Sequence, residues 1–267
     1  MVLHSSGAIA LSDLRAEFNG TYPINMSDYY TDGKSFTTGV SGVPQRNAPI
    51  KLGHFYGKSK ERSTAPVSGN KYPPGDGLMT ANTVTISPQL VQGTTDVYYG
   101  GGTYTTSASA QYSTPSEVWG AYAAFNYMVG GAGHTGWAAP GYNNVNGAYS
   151  LTTPVTVANN VSYVGQWVQI ACPSAFRLSG YSILLTADYW LPRAPRSFVV
   201  LGSNDGSTWD LLDSRADVTG YTHGVAKEFG EIKVATAYSH YRFVMMKTQG
   251  GNGSDYVSAH GIALHEW

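Results

Sequence analysis

Charge and cysteine are what this chain of 267 residues has least of. Only 12% of its residues are charged, and sixteen basic against seventeen acidic side chains leave a formal net charge of -1. No global field then exists to draw in a phosphate backbone or an anionic membrane surface, so neither nucleic acid nor membrane insertion is expected. The single cysteine, Cys172, excludes an intrachain disulfide, and the fold has to stand on packing or on packing plus oligomerisation. Synthesis in a reducing cytoplasm is the matching expectation. The opening MVLHSSGAIALSDLRAEF has no basic n-region and too short an apolar run for a signal peptide. Nor does any window approach the ~20 apolar residues of a membrane span.

Catalytic signatures are scarce too. The seven histidines, at 4, 54, 134, 223, 240, 260 and 265, form no H-E-x-x-H, and His260 and His265, five apart on an expected strand, face opposite sides. GGAGHTG (130–136) lacks the Gly-Lys-Ser/Thr that cradles phosphates, and no Gly-x-Ser-x-Gly elbow occurs. Cys172, before Pro173 at a strand end, reads as an inert thiol. The expectation is a protein that is not an enzyme and holds no metal or cofactor. Long helices find little support either, because the best candidate, SEVWGAYAAFNYM at 116–128, carries Gly120 in its interior.

What is abundant is Gly (32), Tyr (20) and uncharged polar residues, a palette for strands and turns. Three N-terminal segments echo one another: AIALSDL (8–14), PINMSDYY (23–30) and PIKLGHFYG (49–57). Each places an Ile and a Leu or Met before a polar cap, which predicts short turns and helices that need a neighbour to bury their apolar side chains. Residues 1–57 are therefore expected to be a small attachment or oligomerisation module. KSKERSTAPVSGNKYPPGDG (58–77) predicts a linker. Residues 78–267 then read as strands: TVTI, DVYYGGGTYTTSAS, VGQWVQIAC, RLSGYSILLTA, SFVVLGSN, TWDLLDS, HYRFVMMKT and HGIALHEW. Period-two alternation and regular turn signals predict an all-β sandwich. Asn204-Asp205-Gly206 tolerates positive φ and predicts a hairpin, with Trp209 returning to the core beside Trp119, Trp137 and Trp167.

VGQWVQIACP, YSIL, RAPRSFVVLGSNDGSTWDLLD, HYRFVMM and IALHEW, in that order, resemble the discoidin domain, the coagulation-factor C-type or galactose-binding-domain-like family, over about residues 80–267. Its W-x-Q strand, S-x-D-G-x-x-W hairpin, Y/F-x-R strand and terminal E-hydrophobic pair are similar to Gln166–Ile170, Ser203–Trp209, Tyr241–Phe243 and Ile262–Glu266. The resemblance implies a jelly-roll sandwich whose loops at one end bind ligands. Asn126 stands where the family often has Asp, so no metal site is carried over, and one cysteine rules out the family's usual disulfide. Residues 5–57 resemble the N-terminal modules of phage tail-fibre and large-virus virion proteins.

An aromatic ring stacks on a sugar's CH face while Asn, Asp, His or Arg hold its hydroxyls. Loops DYWLPRAP (188–195), TGYTHG (219–224) and GGNGSDY (250–256) carry both kinds of group. The candidates are Tyr189, Trp190, Arg193, Tyr221, His223, Asn252 and Asp255. The resulting expectation is a virion structural protein, a tail fibre or similar appendage. It would dock on other virion proteins through residues 1–57, oligomerise with itself, and present a sandwich for host-surface glycan or protein binding. The alternatives are a capsid or decoration protein whose sandwich is a protein-protein clamp, and the carbohydrate-binding accessory of a depolymerase.

Overall fold

The computed structural model describes residues 70–91, 98–113, 118–127, 136–186, 188–232, 234–251 and 255–266, with the backbone alone described at 118 and 188–190. The chain divides into two units, Met1–Arg62 and Ser63–Trp267. The three N-terminal repeats lie outside the described residues.

Alternation along the strands builds the two main antiparallel sheets, which four two-stranded pairings accompany among the described residues. In Gln166–Phe176, Gln166, Val168, Ile170 and Cys172 are buried while Trp167, Gln169 and Ala171 are half-exposed, the period of two that a pleated strand imposes. This strand is central in a six-stranded sheet ordered Asp210–Arg215, Pro195–Ser203, Tyr238–Thr248, Gln166–Phe176, Gly102–Ala108 and Thr83–Ile86. A four-stranded sheet runs Lys71–Tyr72, Gly261–Glu266, Leu178–Leu184 and Lys227–Phe229. All-β architecture is therefore what the described residues adopt.

Register decides which side chains meet. Val168 pairs with Phe243 and Phe243 with Val200, so one row faces the main core. The four-stranded sheet answers with Tyr181, Ile183, Ile262 and Leu264. Tyr181 is the node: its ring stacks on Phe229 (4.9 Å, 21°) and meets Phe243 and Phe198 edge-on at 5.2 and 6.1 Å. Its hydroxyl donates to Asp213 Oδ2 at 2.8 Å, and Arg215 Nε donates to the same oxygen at 2.6 Å. Because Tyr181 belongs to one sheet and Asp213 to the other, this buried bond ties them at one register.

The alternate row faces outward and is not bare. Gln169 pairs with Arg242 and Arg242 with Leu201. The Arg242 guanidinium lies 4.0 Å from the Trp167 ring and 4.2 Å from the Trp209 ring, and its Nε and Nη2 donate to Gln169 Oε1 at 3.0 and 2.7 Å. Burial pulls this guanidinium down to about 10, which leaves it charged at neutral pH. The hairpin Val155–Ala158 and Val161–Val164 lies over the same face, with Thr156 Oγ1 accepting from Arg242 Nη1 at 3.2 Å.

Three expectations change here. Trp119 and Trp137 are core residues, and so is Trp209, buried in a second core cluster with Val199, Leu201 and Val244 on the outer face, but Trp167 remains half-exposed beside it. The hairpin at Asn204-Asp205-Gly206 forms, yet only Gly206 takes positive φ (71°). Asp205 works through its side chain, accepting from Ser207 and Thr208 N–H at 2.8 and 2.7 Å. Those N–H groups, Thr208 first, hold its carboxyl well below the usual range. The turn's electrostatic contribution is thus intact above about pH 4 and fades as pH falls toward the depressed value.

The linker expected over 58–77 ends earlier, because Lys71–Tyr72 pairs with Leu264 and His265 and the Tyr72 ring stacks on Phe176 at 4.2 Å. In the described part of the 116–128 segment, Val118–Trp119 form a two-residue strand and Ala121–Phe125 a short 3-10 helix, with extended Gly120 between them.

The outer stack gives a direct test by urea unfolding followed through tryptophan fluorescence. Arg242→Ala should lose about 3 kcal/mol, since both ring faces and the Gln169 acceptor lose their partner. Arg242→Lys, which keeps the charge without the planar fork, should lose about half as much.

Candidate functional site

Gln249, just past the strand Tyr238–Thr248, gathers the loops at one end of the sandwich. Its backbone N–H donates to Ala194 O at 3.0 Å, and its side-chain Nε2 donates to Val218 O at 2.7 Å and Pro195 O at 3.5 Å. Gly250 N–H then donates to Pro192 O at 3.0 Å, and Gly224 N–H to Leu185 O at 2.8 Å. Residues 192–195, 218–225 and 249–250 are thereby fixed to one corner. Loops packed this way lose little further freedom on binding.

A fourth loop, 141–150, joins them. Gly251 N–H donates to Asn144 O at 2.9 Å, and Gly141 and Tyr142 N–H both reach Asp255 O at 3.0 Å. Gly250 has φ +74°, and a Cβ there would fall 2.6 Å from Gly147 N, so only glycine permits this approach. Asn143 and Asn146 cap the loop's own N–H groups through their side-chain oxygens. That leaves Val145, 79% exposed, at its tip.

The structure brings Arg193 and Asp255 to a residue sequence reasoning passed over, Tyr256. The Arg193 guanidinium lies 5.1 Å from the Tyr256 ring centroid, and Asp255, exposed, immediately precedes that ring. Burial, then the Asp255 charge, raises the Tyr256 phenol above its ordinary value, with Arg193 opposing. A donor fork therefore lies over a half-exposed ring, with an exposed carboxylate on the residue before it, and these are groups able to engage a sugar's hydroxyls and its apolar face. Tyr256 ends the GGNGSDY stretch, so the signal was in view.

The other candidates are placed differently. Tyr221 packs against the core, and its hydroxyl is buried with no hydrogen-bond partner among the described residues. Burial first, then Tyr181, pushes its phenol far up, while Arg215 opposes. Its hydroxyl thus faces inward, and Lys227 Nζ sits 5.6 Å from its ring. His223 is exposed on the turn closed by Val225 N–H to Thr222 O, beside a separate cleft of about 230 Å³ lined by Thr222, Val225 and Lys227. Tyr189 and Trp190 have their backbone in the 3-10 helix Asp188–Arg193, but their side chains, like all of Asn252, lie outside the described residues.

His260 is buried, its Nδ1 meeting Thr186 N–H at 3.2 Å and Thr186 Oγ1 at 2.5 Å. Among the described residues no three His, Cys, Asp or Glu side chains converge to hold a metal ion. Burial raises the Cys172 thiol well above its usual range.

No protein-family model matches the sequence, and no curated protein sequence matches it. Several solved structures are similar. One is a Clostridium perfringens module, CpGH89CBM32-5, in complex with GalNAc-β-1,3-galactose, at 14% identity and TM-score 0.40, covering 60% of this chain and 94% of that one. An F5/8 type C domain from Bacteroides fragilis aligns at 16% identity and TM-score 0.43, covering 61% and 91%. The family 32 carbohydrate-binding module of Clostridium perfringens NanJ, in complex with galactose, aligns at 12% and 0.39, covering 60% and 92%. The all-β assignment stands on the strand pairings themselves.

Gln249→Ala should cost about 1–2 kcal/mol by leaving two carbonyls without their donor. Amide hydrogen exchange should also quicken at Val218 and Gly250 while Ile170 and Phe243 keep their protection. Unchanged exchange at the loops would remove Gln249 from this role.

Proposed function

We propose that the sandwich is a non-catalytic glycan-binding domain, carried on a virion appendage such as a tail fibre that docks on the particle through residues 1–57. The observation that supports this most is the contact of Arg193 with the Tyr256 ring, next to Asp255, at the end of the sandwich where Gln249 and Gly250 fasten the loops. Guanidinium donors, carboxylate acceptors and a ring face are the three groups that a pyranose engages, and the pair's near-neutral sum suits an uncharged sugar. The N-terminal repeats, which need a partner to bury their Ile, Leu and Met side chains, support the docking half of the reading. Repeated display makes individually weak sites effective.

A protein-protein clamp is the second reading. The hairpin Val155–Ala158 and Val161–Val164 favours it by exposing Val155, Val157 and Val161 at 46%, 54% and 50%. Such an apolar set is what a protein interface uses.

A glycan array probed with the full chain separates the two. Glycan binding requires a hit among neutral hexose-containing glycans that Arg193→Ala and Asp255→Ala each weaken at least tenfold, about 1.4 kcal/mol or more. No hit, together with normal incorporation into particles, would instead establish the clamp. Deleting residues 1–57 should abolish particle incorporation while leaving array binding in place.

A further inference from the structure

The strand Gly261–Glu266 starts beside Leu184, where the loop end is built, and finishes at Glu266, roughly 17 Å further along the sandwich. There a second cleft opens, about 470 Å³ in volume, with no part in the loop site. Its floor is Tyr72, held flat against Phe176. Tyr99 stands edge-on to Tyr72 at 5.5 Å and 71°, and Tyr98, 60% exposed, forms the rim. Pro88 and Pro173 add apolar sides.

The polar content of this cleft has one sign. Glu266 Oε2 accepts from Asn70 Nδ2 at 3.1 Å and from Tyr72 Oη at 2.9 Å, and both donors are neutral. Among the described lining residues there is no Lys, Arg or His. Lys71, the nearest in sequence, points elsewhere: its ammonium pairs with Asp76 and lies 4.7 Å from the Tyr127 ring. The Glu266 charge also bears on the ring hydroxyls around it, raising the phenols of Tyr72 and Tyr99 on top of the larger effect of burial.

An anionic ligand would face the Glu266 carboxylate with no cation among the described lining residues to offset it. A neutral ligand would leave that charge half-enclosed and uncompensated. A cation with an apolar stem meets every feature at once, with its head between the carboxylate and tyrosine faces and its methylenes along the prolines. We propose that this cleft binds an alkylammonium group, presented as the lysine side chain of a partner protein, held by Glu266 and the tyrosines Tyr72, Tyr98 and Tyr99. The site is independent of the loop end, so failure of either reading leaves the other standing.

The test titrates n-butylammonium chloride into the isotope-labelled full chain and follows amide shifts, with n-butanol as the uncharged isostere and sodium chloride as the ionic control. Saturable shifts are expected at Tyr98, Gly100, Gly101 and Glu266 with the ammonium, and binding at least tenfold weaker with the alcohol. Glu266→Gln, which keeps an acceptor for Asn70 and Tyr72, should weaken ammonium binding about tenfold, and Tyr98→Ala, at an exposed position, by several-fold. Equal shifts with alcohol and ammonium, or binding indifferent to Glu266→Gln, would overturn the proposal. So would glucosamine binding more tightly than n-butylammonium, which would assign the cleft to an amino sugar.

Discussion

The bond from the Tyr181 hydroxyl to the Asp213 carboxylate is the constraint on which the rest of this sandwich depends. It joins the two sheets inside an apolar core, where an unpaired carboxylate would be costly, and it shares its acceptor with Arg215. A slip of one residue in either strand would turn Tyr181 or Asp213 to the wrong face, so the bond fixes which rows meet. Phe198, Phe229 and Phe243 then close around the ring. Tyr221 brings its hydroxyl to the same neighbourhood, beside Tyr181 and Arg215, and so anchors the 218–225 loop to the core that holds the sheets together. The geometry of the loop end is thus inherited from the inter-sheet core.

The outer face of the six-stranded sheet shows a complementary economy. Trp167, Gln169, Trp209 and Arg242 come from three separated stretches of sequence, and register brings them into one stack. A charged side chain with two ring faces and a bidentate acceptor can tolerate partial burial without losing its proton at neutral pH. Among the described residues, the hairpin Val155–Ala158 and Val161–Val164 covers this stack through Thr156.

The strands and their turns were legible because alternation and turn chemistry are local. Gln166–Phe176 alternates residue by residue, and Asn204-Asp205-Gly206 names its own hairpin. Which face Trp209 joins was not legible, because Pro195–Ser203, the strand before its hairpin, is buried on both faces and so loses the period-two signal. Tyr72 was misread for a related reason. Its Tyr-Pro-Pro context has the composition of a linker, and only a partner 192 residues away in sequence, Leu264, makes it a strand. In the loops, composition pointed to 188–195, 219–224 and 250–256. Gln249 and the 141–150 loop escaped notice because their roles are long-range hydrogen bonds. An aromatic at a loop or strand end reads alike whether its ring is half-exposed, as at Tyr256, or its hydroxyl is buried, as at Tyr221.

Amide hydrogen exchange of the full chain, with and without its best glycan from the array, tests the central claim most directly. The account predicts added protection confined to 192–195, 218–224 and 249–256, around Arg193 and Tyr256. Protection falling instead on the 155–164 hairpin or around Glu266, with these loops unchanged, would contradict it.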